Sequence, residues 1–290
     1  VPQSRVPLSA VGLIIGGLVA QEVGASIAVL VFPQVGPAGM VSLRLVFSAL
    51  ILLAVSRPKL RGISRRSWIV VVLFGVSLGG MNLLFYEALA RIDLGPTVTI
   101  EVIGPLVLSV ILARRALAWL WAGLAFTGVV LLSQGALDAV DPLGVLFALG
   151  AAAGWAAYIL ASRETGKSFE GLSGLAIAMA IGAVLTLPFG ISQAGATILK
   201  PDVLLLGLAV AVLSSAIPYA LELIALRRIS AETFSVLIAS SPAIATAAGF
   251  VILGQTIGWV QAVGIALVIA ASIGAVRMAP RKPKFLDPPV

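Results

Sequence analysis

The chain has 290 residues, of which 60% are hydrophobic and only 11% charged, and its mean hydropathy is +1.13. Soluble domains carry about 25% charged residues, so this composition excludes one. With no cysteine and no histidine, disulfide frameworks, thiolate metal centres and imidazole proton shuttles are excluded as well, and any proton-linked chemistry falls to carboxylates. The net charge of +7 would point a soluble protein toward nucleic acid. Here the charges sit between apolar runs, so the expected partner is the lipid bilayer and not nucleic acid.

The apolar runs reach the roughly 20 residues that a helix needs to cross about 30 Å of hydrocarbon, and the alternating pattern of an outer-membrane barrel is absent. The predicted fold class is an all-α polytopic membrane protein. Charge, proline and glycine punctuate ten predicted transmembrane helices: 8–32, 37–56, 68–90, 94–113, 118–134, 142–162, 171–191, 203–226, 231–253 and 257–276. The first lacks a small-residue cleavage pattern and is expected to be a retained span. Residues 279–290, rich in proline and charge, are expected to form a cytoplasmic tail. The connections are short, leaving no soluble domain to carry an enzymatic activity.

The basic residues are unevenly placed. If the N-terminus is cytoplasmic, sixteen of the 19 lysines and arginines fall in inside segments, only Arg91 and Lys200 fall outside, and Arg44 lies within a span. The positive-inside rule then puts both termini in the cytoplasm.

The chain also repeats itself. Ala88-Leu89-Ala90-Arg91-Ile92-Asp93 lies 137 positions before Ala225-Leu226-Arg227-Arg228-Ile229-Ser230, and the same offset carries Pro105 onto Pro242. This predicts two five-helix repeats, 1–137 and 138–278. Because five is odd, the second must enter the membrane inverted, the architecture of secondary transporters with a central cavity.

Polar residues within the spans mark that cavity. A carboxylate near the centre of a bilayer costs at least about 2.5–3.5 kcal/mol, and Glu22, Arg44 and Glu101 fall in the middle of spans one, two and four. Arg44 cannot lose its charge, so an ion pair with Glu22 or Glu101 is expected, either to fix helix packing or to serve substrate and coupling. Pro105 removes the donor that Glu101 O would normally receive, and a freed carbonyl beside a carboxylate can recognise an ammonium group. Gln21 and Asn82 offer amides to the ends of a zwitterion, or join helices. Glu87 lies near a span end and is expected to snorkel to the interface. Trp155, Tyr158, Tyr86 and Tyr219 sit within spans, where they line an apolar cavity or pack ordinarily. Trp68, Trp119, Trp121 and Trp259 are expected as interfacial anchors. The Gly12-Gly16 and Gly150-Gly154 spacings predict close helix approach. Pro105, Pro218 and Pro242 are candidate bending points.

Several of these stretches carry a family resemblance. Gly24-Ala25-Ser26 with Phe32-Pro33, Leu43-Arg44-Leu45, Gly75 to Asn82 with Phe85-Tyr86, Glu101 with Gly104-Pro105-Leu106, and Pro218-Tyr219-Ala220-Leu221-Glu222 resemble the drug/metabolite transporter superfamily, in its ten-helix branch of bacterial amino-acid exporters. The likeness spans about Gly12 to Val276. It implies an inner-membrane secondary transporter that exports threonine/homoserine-like, aromatic or other neutral amino acids by alternating access. The cavity would lie between spans one, three, four, six, eight and nine, protons would be the candidate coupling ion, and no cofactor or metal is implied. Glu222, which ends one of the motifs, is expected in helix contacts or a gate. Two departures stand out: Ser241-Pro242 replaces the Glu-Pro common in relatives, and Gly254-Gln255 replaces Gly-Glu. Carboxylate roles at those two places therefore do not carry over. A drug, nucleotide-sugar or other metabolite carrier of the same superfamily is the alternative, followed by a non-transport intramembrane protein. No Walker loop supports ATP-driven pumping.

Overall fold

The structure is a computed structural model that describes residues 8–113, 116–134, 141–218, 221, 237–238 and 240–278. Every regular element among the described residues is helical: α1 (Leu8–Ser56), α2 (Arg65–Leu89), α3 (Leu94–Glu101), α4 (Ile103–Ala113), α5 (Ala116–Gln134), α6 (Pro142–Thr165), α7 (Ser173–Ala194), a 3-10 turn (Gly195–Leu199), α8 (Pro201–Ala211), a π-helical turn (Val212–Ala216), α9 (Ser241–Leu253) and α10 (Trp259–Met278). Four described segments are long and apolar enough to cross a membrane, namely Val11–Ser56, Arg65–Leu89, Pro142–Thr165 and Ser173–Leu199. Large apolar side chains such as Phe126, Val184 and Val251 stand on the outside of the bundle. In water they would be a liability, whereas against acyl chains they match their solvent.

At 1.5 Å per residue α1 would reach about 74 Å if straight, over twice the hydrocarbon thickness. It breaks at Gly36, whose φ of 70° and ψ of 169° are non-helical, so the first two predicted spans fall on either side of one glycine. The positive φ favours glycine here. The helix that restarts after Pro37 has its Ala38 N–H accepted by Gln193 Oε1 at 2.7 Å, a side-chain cap supplied by α7.

Three further predicted spans are interrupted. The fourth splits into α3 and α4 at Val102, where Pro105 cannot donate to Glu101 O. In the eighth, α8 passes into the π-helical turn just before Pro218. In the ninth, residues 237–238 are helical, Ser240 is a turn, and α9 starts at Ser241 with Pro242 in its first turn. Pro242 therefore opens a helix, where its fixed φ and missing N–H are tolerated; it does not bend one from within.

Small residues set the packing. Gly75 and Gly79 of α2 face Ala178 and Gly182 of α7, Gly150 and Gly154 of α6 face Leu84 and Met81 of α2, and Gly128 of α5 faces Gly264 of α10. Gly104 lies directly against the Ala152 carbonyl of α6. The Gly150-Gly154 spacing thus does what its sequence implies; for Gly12-Gly16, among the described residues a methyl at Gly12 would meet nothing within 4 Å, and one at Gly16 only Leu221 at 3.8 Å. Gly17 and Gly24 make the close approach instead, to Pro218 and to Leu213 and Ser214. Trp119 and Trp259 are exposed, 62% and 81%, as anchors would be. Trp121 is not; its ring packs over Gly274 of α10, where the missing side chain leaves room for an indole.

Gly104→Ala should place a methyl on the Ala152 carbonyl and cost about 1–3 kcal/mol by overpacking, read as a lower melting temperature in detergent. Gly80→Ala, where a methyl meets nothing within 4 Å among the described residues, should not lower the melting temperature and should add up to about 0.5–1 kcal/mol of stability through helix propensity.

Candidate functional site

The first half of α1 carries Glu22 into the bundle interior, 1% exposed. Its Oε1 accepts from Ser241 Oγ at 3.1 Å, so a carboxylate of the first span is met by the first residue of α9. One turn on, Ser26 Oγ donates to Glu22 O at 2.9 Å, which occupies that hydroxyl within its own helix. Glu101 is the last residue of α3 and is half-buried.

Arg44, on the second half of α1, occupies the junction of three chain segments. Its Nη2 donates to Ser214 O at 3.2 Å, its Nε to Ser215 Oγ at 3.4 Å and its Nη1 to Tyr86 Oη at 3.4 Å. The guanidinium carbon also stands 5.6 Å from the Tyr86 ring centre, within cation–π range. Tyr86 is wholly buried, with Phe32 at 5.7 Å and Phe85 at 6.0 Å between ring centres.

The ion pairs among the described residues are Arg91 with Glu87 and Asp141, and Lys167 with Glu164. The expected pairing of Arg44 with Glu22 or Glu101 is not among them. Both carboxylates lie within electrostatic reach of Arg44, and Glu101 within reach of Glu22. The charges therefore share one region without direct contact, because hydroxyl and carbonyl oxygens take the guanidinium N–H groups first.

The other expected residues divide. Gln21 joins the region through its backbone, Ser214 Oγ donating to Gln21 O at 3.5 Å. Asn82 is buried, and its Nδ2 turns back to Leu78 O at 2.8 Å, so its amide donor serves its own helix. Trp155 and Tyr158 share one face of α6 and are half-buried against the main core, with Tyr158 5.1 Å from Phe74. Pro105, Pro218 and Pro242 each lie next to a helix interruption. Tyr219 and Glu222 lie outside the described residues.

Glu87 does more than snorkel. It pairs with Arg91 at 2.7 Å, Arg91 reaches Asp141 at 3.7 Å, and its guanidinium packs over Phe147 at 4.8 Å, which ties the end of α2 to the start of α6. Ser214, Ser215 and Ser241 were not singled out as binding groups by the sequence. A serine inside a span reads as helix glue, and only Pro218 and Pro242 nearby hinted that backbone polar groups there needed partners.

A family model described as EamA-like transporter family matches residues 142–277. Over a longer stretch, the threonine/homoserine exporter RhtA of Salmonella typhimurium (strain LT2) is 39% identical over 264 residues, covering 90% of this chain and 89% of the relative. RhtA of Escherichia coli (strain K12) is 38% identical over 266 residues, covering 91% and 90%. The chain belongs to the EamA-like transporter family. EamA-like membership within the drug/metabolite transporter superfamily makes the chain a membrane transporter, not an enzyme. A solved crystal structure of a protein superposes with a TM-score of 0.62 at 19% identity, covering 92% of this chain and 97% of that one, a likeness of fold alone.

In this EamA-like transporter the Ser241 hydroxyl is a donor that the buried Glu22 carboxylate cannot replace with water. Ser241→Ala is expected to cost about 1.5–3 kcal/mol, seen as a drop in melting temperature. Ser240→Ala, whose hydroxyl only returns to Leu237 O, is the control.

Proposed function

We propose that this chain exports threonine, homoserine or closely similar neutral amino acids from the bacterial cytoplasm across the inner membrane. The observation that carries the reading is the 38–39% identity to threonine/homoserine exporters over about nine-tenths of both partners. On this reading ten transmembrane helices form two inverted five-helix repeats, residues 1–137 and 138–278, with both termini and the 279–290 tail in the cytoplasm.

The packing supports the inverted halves. Exchanging spans one to five with spans six to ten carries several of the described contacts onto one another. Span two packs on seven, four on nine and five on ten. Span three packs on six and seven through Leu84, Met81, Gly75 and Gly79, and span eight packs on one and two through Pro218, Ser214 and Gly207. The interruptions correspond too: the fourth span breaks three residues before Pro105, and the ninth starts its second half one residue before Pro242. Discontinuous helices near the bilayer midplane are where secondary transporters build their sites.

Within the cavity, the substrate ammonium meets Glu101 and its proline-freed carbonyl, with Glu22 beside them. Gln21, Asn82, Tyr86 and Tyr219 surround the polar end, with Arg44 behind Tyr86, and Trp155 and Tyr158 provide an apolar wall for the side chain. Pro105 and Pro218 belong to the bending elements and Glu222 to a gate, while Pro242 marks the helix start at the ninth-span interruption. The two halves rock to expose the cavity to either side, and protons are the candidate exchange partner.

Proteoliposomes holding labelled threonine or homoserine should show saturable counterflow; absence of counterflow for every neutral amino acid in a panel overturns the reading. Transport that responds to an imposed pH gradient marks exchange with protons, and transport indifferent to it marks facilitated diffusion. Glu101→Gln, at matched membrane levels, should lose about one to two orders of magnitude in rate, the worth of a hydrogen bond to a charged group. Equal rates would remove Glu101 from the site.

A further inference from the structure

Pro218 creates a backbone problem in the eighth span that Arg44 is placed to solve. Lacking an N–H, Pro218 can donate neither to Ser214 O, the carbonyl four residues before it, nor, in a five-residue register, to Leu213 O, so this turn is one backbone donor short. The helix has already shifted register there: residues 212–216 form a π-helical turn, closed by Ile217 N reaching five residues back to Val212 O. Such single turns are rare and cluster at functional sites. Ser214 and Ser215 are 3% and 1% exposed, so the Ser214 carbonyl has little access to solvent. Among the described residues the side-chain group that reaches it is Arg44 Nη2, at 3.2 Å.

The rest of the surroundings fix that geometry. Gly24 allows span one to close on Leu213 and Ser214, and Ser214 Oγ donates to Gln21 O at 3.5 Å. Arg44 Nε reaches Ser215 Oγ at 3.4 Å, and the Tyr86 ring lies 5.6 Å from the guanidinium carbon. One side chain of span two is thus clamped between span three and the π-helical turn of span eight, which is itself held by span one.

We infer that Arg44 is a positioning residue which stands in for the missing N–H of Pro218 and pins the π-helical turn of span eight to span two, shaping the cavity rather than binding the cargo directly. The inference rests on the transporter reading only for its transport readout. Arg44 and Pro218 are then one functional unit: an N–H restored at position 218 makes the guanidinium dispensable.

The test is a double-mutant cycle of Arg44→Gln and Pro218→Ala on the full chain in proteoliposomes, reading the KM of threonine or homoserine counterflow apart from the maximal rate. Arg44→Gln should raise KM about tenfold or more in the parent, as loss of a charged hydrogen bond would. In the Pro218→Ala background the same change should raise KM less than about threefold, since a backbone N–H now meets Ser214 O. An equal KM penalty in both backgrounds overturns the inference and assigns Arg44 to the substrate. The same four proteins are melted in detergent, which needs no transport. A fall in melting temperature for Arg44→Gln that shrinks on Pro218→Ala supports the pairing, and an undiminished fall overturns it. If Arg44→Gln prevents folding, recovery of folded protein on adding Pro218→Ala is the supporting result, and failure in both backgrounds is the opposing one. A parent that melts cooperatively yet transports neither amino acid would fail the substrate reading alone, leaving the melting cycle to decide the role of Arg44.

Discussion

A backbone carbonyl or amide set free by a broken helix has no water to turn to inside a bilayer. This chain breaks its helices repeatedly, and the structure depends on how each break is satisfied. At Gly36 the restarted helix has its Ala38 N–H taken by Gln193. The start of α3 has its Leu94 N–H taken by Gln255 Oε1 at 3.2 Å. The Ser214 carbonyl is taken by Arg44. In each case the partner comes from a segment far away in sequence, so the same hydrogen bond that satisfies the backbone also joins two parts of the bundle. Two helix starts and the eighth-span interruption are therefore fastening points.

That view explains Gln255, which stands where relatives often carry a glutamate. A neutral amide oxygen accepts from an N–H as well as a carboxylate oxygen does, and it brings no charge into the apolar region. It explains Ser241 in a similar way. The short hydroxyl donates to Glu22, so the carboxylate at this crossing is supplied by the first span while the ninth span supplies its donor. The two departures from the family pattern thus leave both contacts satisfied.

Hydropathy made the apolar segments legible because bilayer thickness fixes their length, and proline chemistry made the break after Glu101 legible because the missing N–H acts on a known carbonyl. Partners across the bundle were not legible. Arg44 was expected to find a carboxylate on the argument that charge seeks charge, but its hydrogen bonds among the described residues go to the Ser215 and Tyr86 hydroxyls and to the Ser214 carbonyl, beside a π-helical turn that no periodicity announces. Glycine spacing gave the same lesson. Gly12-Gly16 and Gly150-Gly154 look alike in sequence, yet among the described residues only the second faces another helix closely, because spacing defines a stripe and not what it is turned toward. Trp121 reads as an anchor until Gly274 is found beneath its ring.

On the proposed reading, the charges gathered in the cavity decide what can be carried. Among the described residues Glu22, Glu101 and Arg44 lie within electrostatic reach of one another, two acids and one base. A guanidinium fixed against oxygen atoms offsets one carboxylate and leaves the other to be neutralised by whatever enters. An amino acid does this with its ammonium group, and a proton does it directly, but the two cannot occupy the same carboxylate together. Competition of that kind is sufficient to couple exchange without any further device. A cargo carrying only negative charge meets two carboxylates and is rejected by repulsion, which is specificity obtained from an unfavourable contact. Glu22 already accepts from Ser241, so on this reading Glu101, at the end of α3 and beside the carbonyl that Pro105 leaves without its donor, is the carboxylate assigned to either cation.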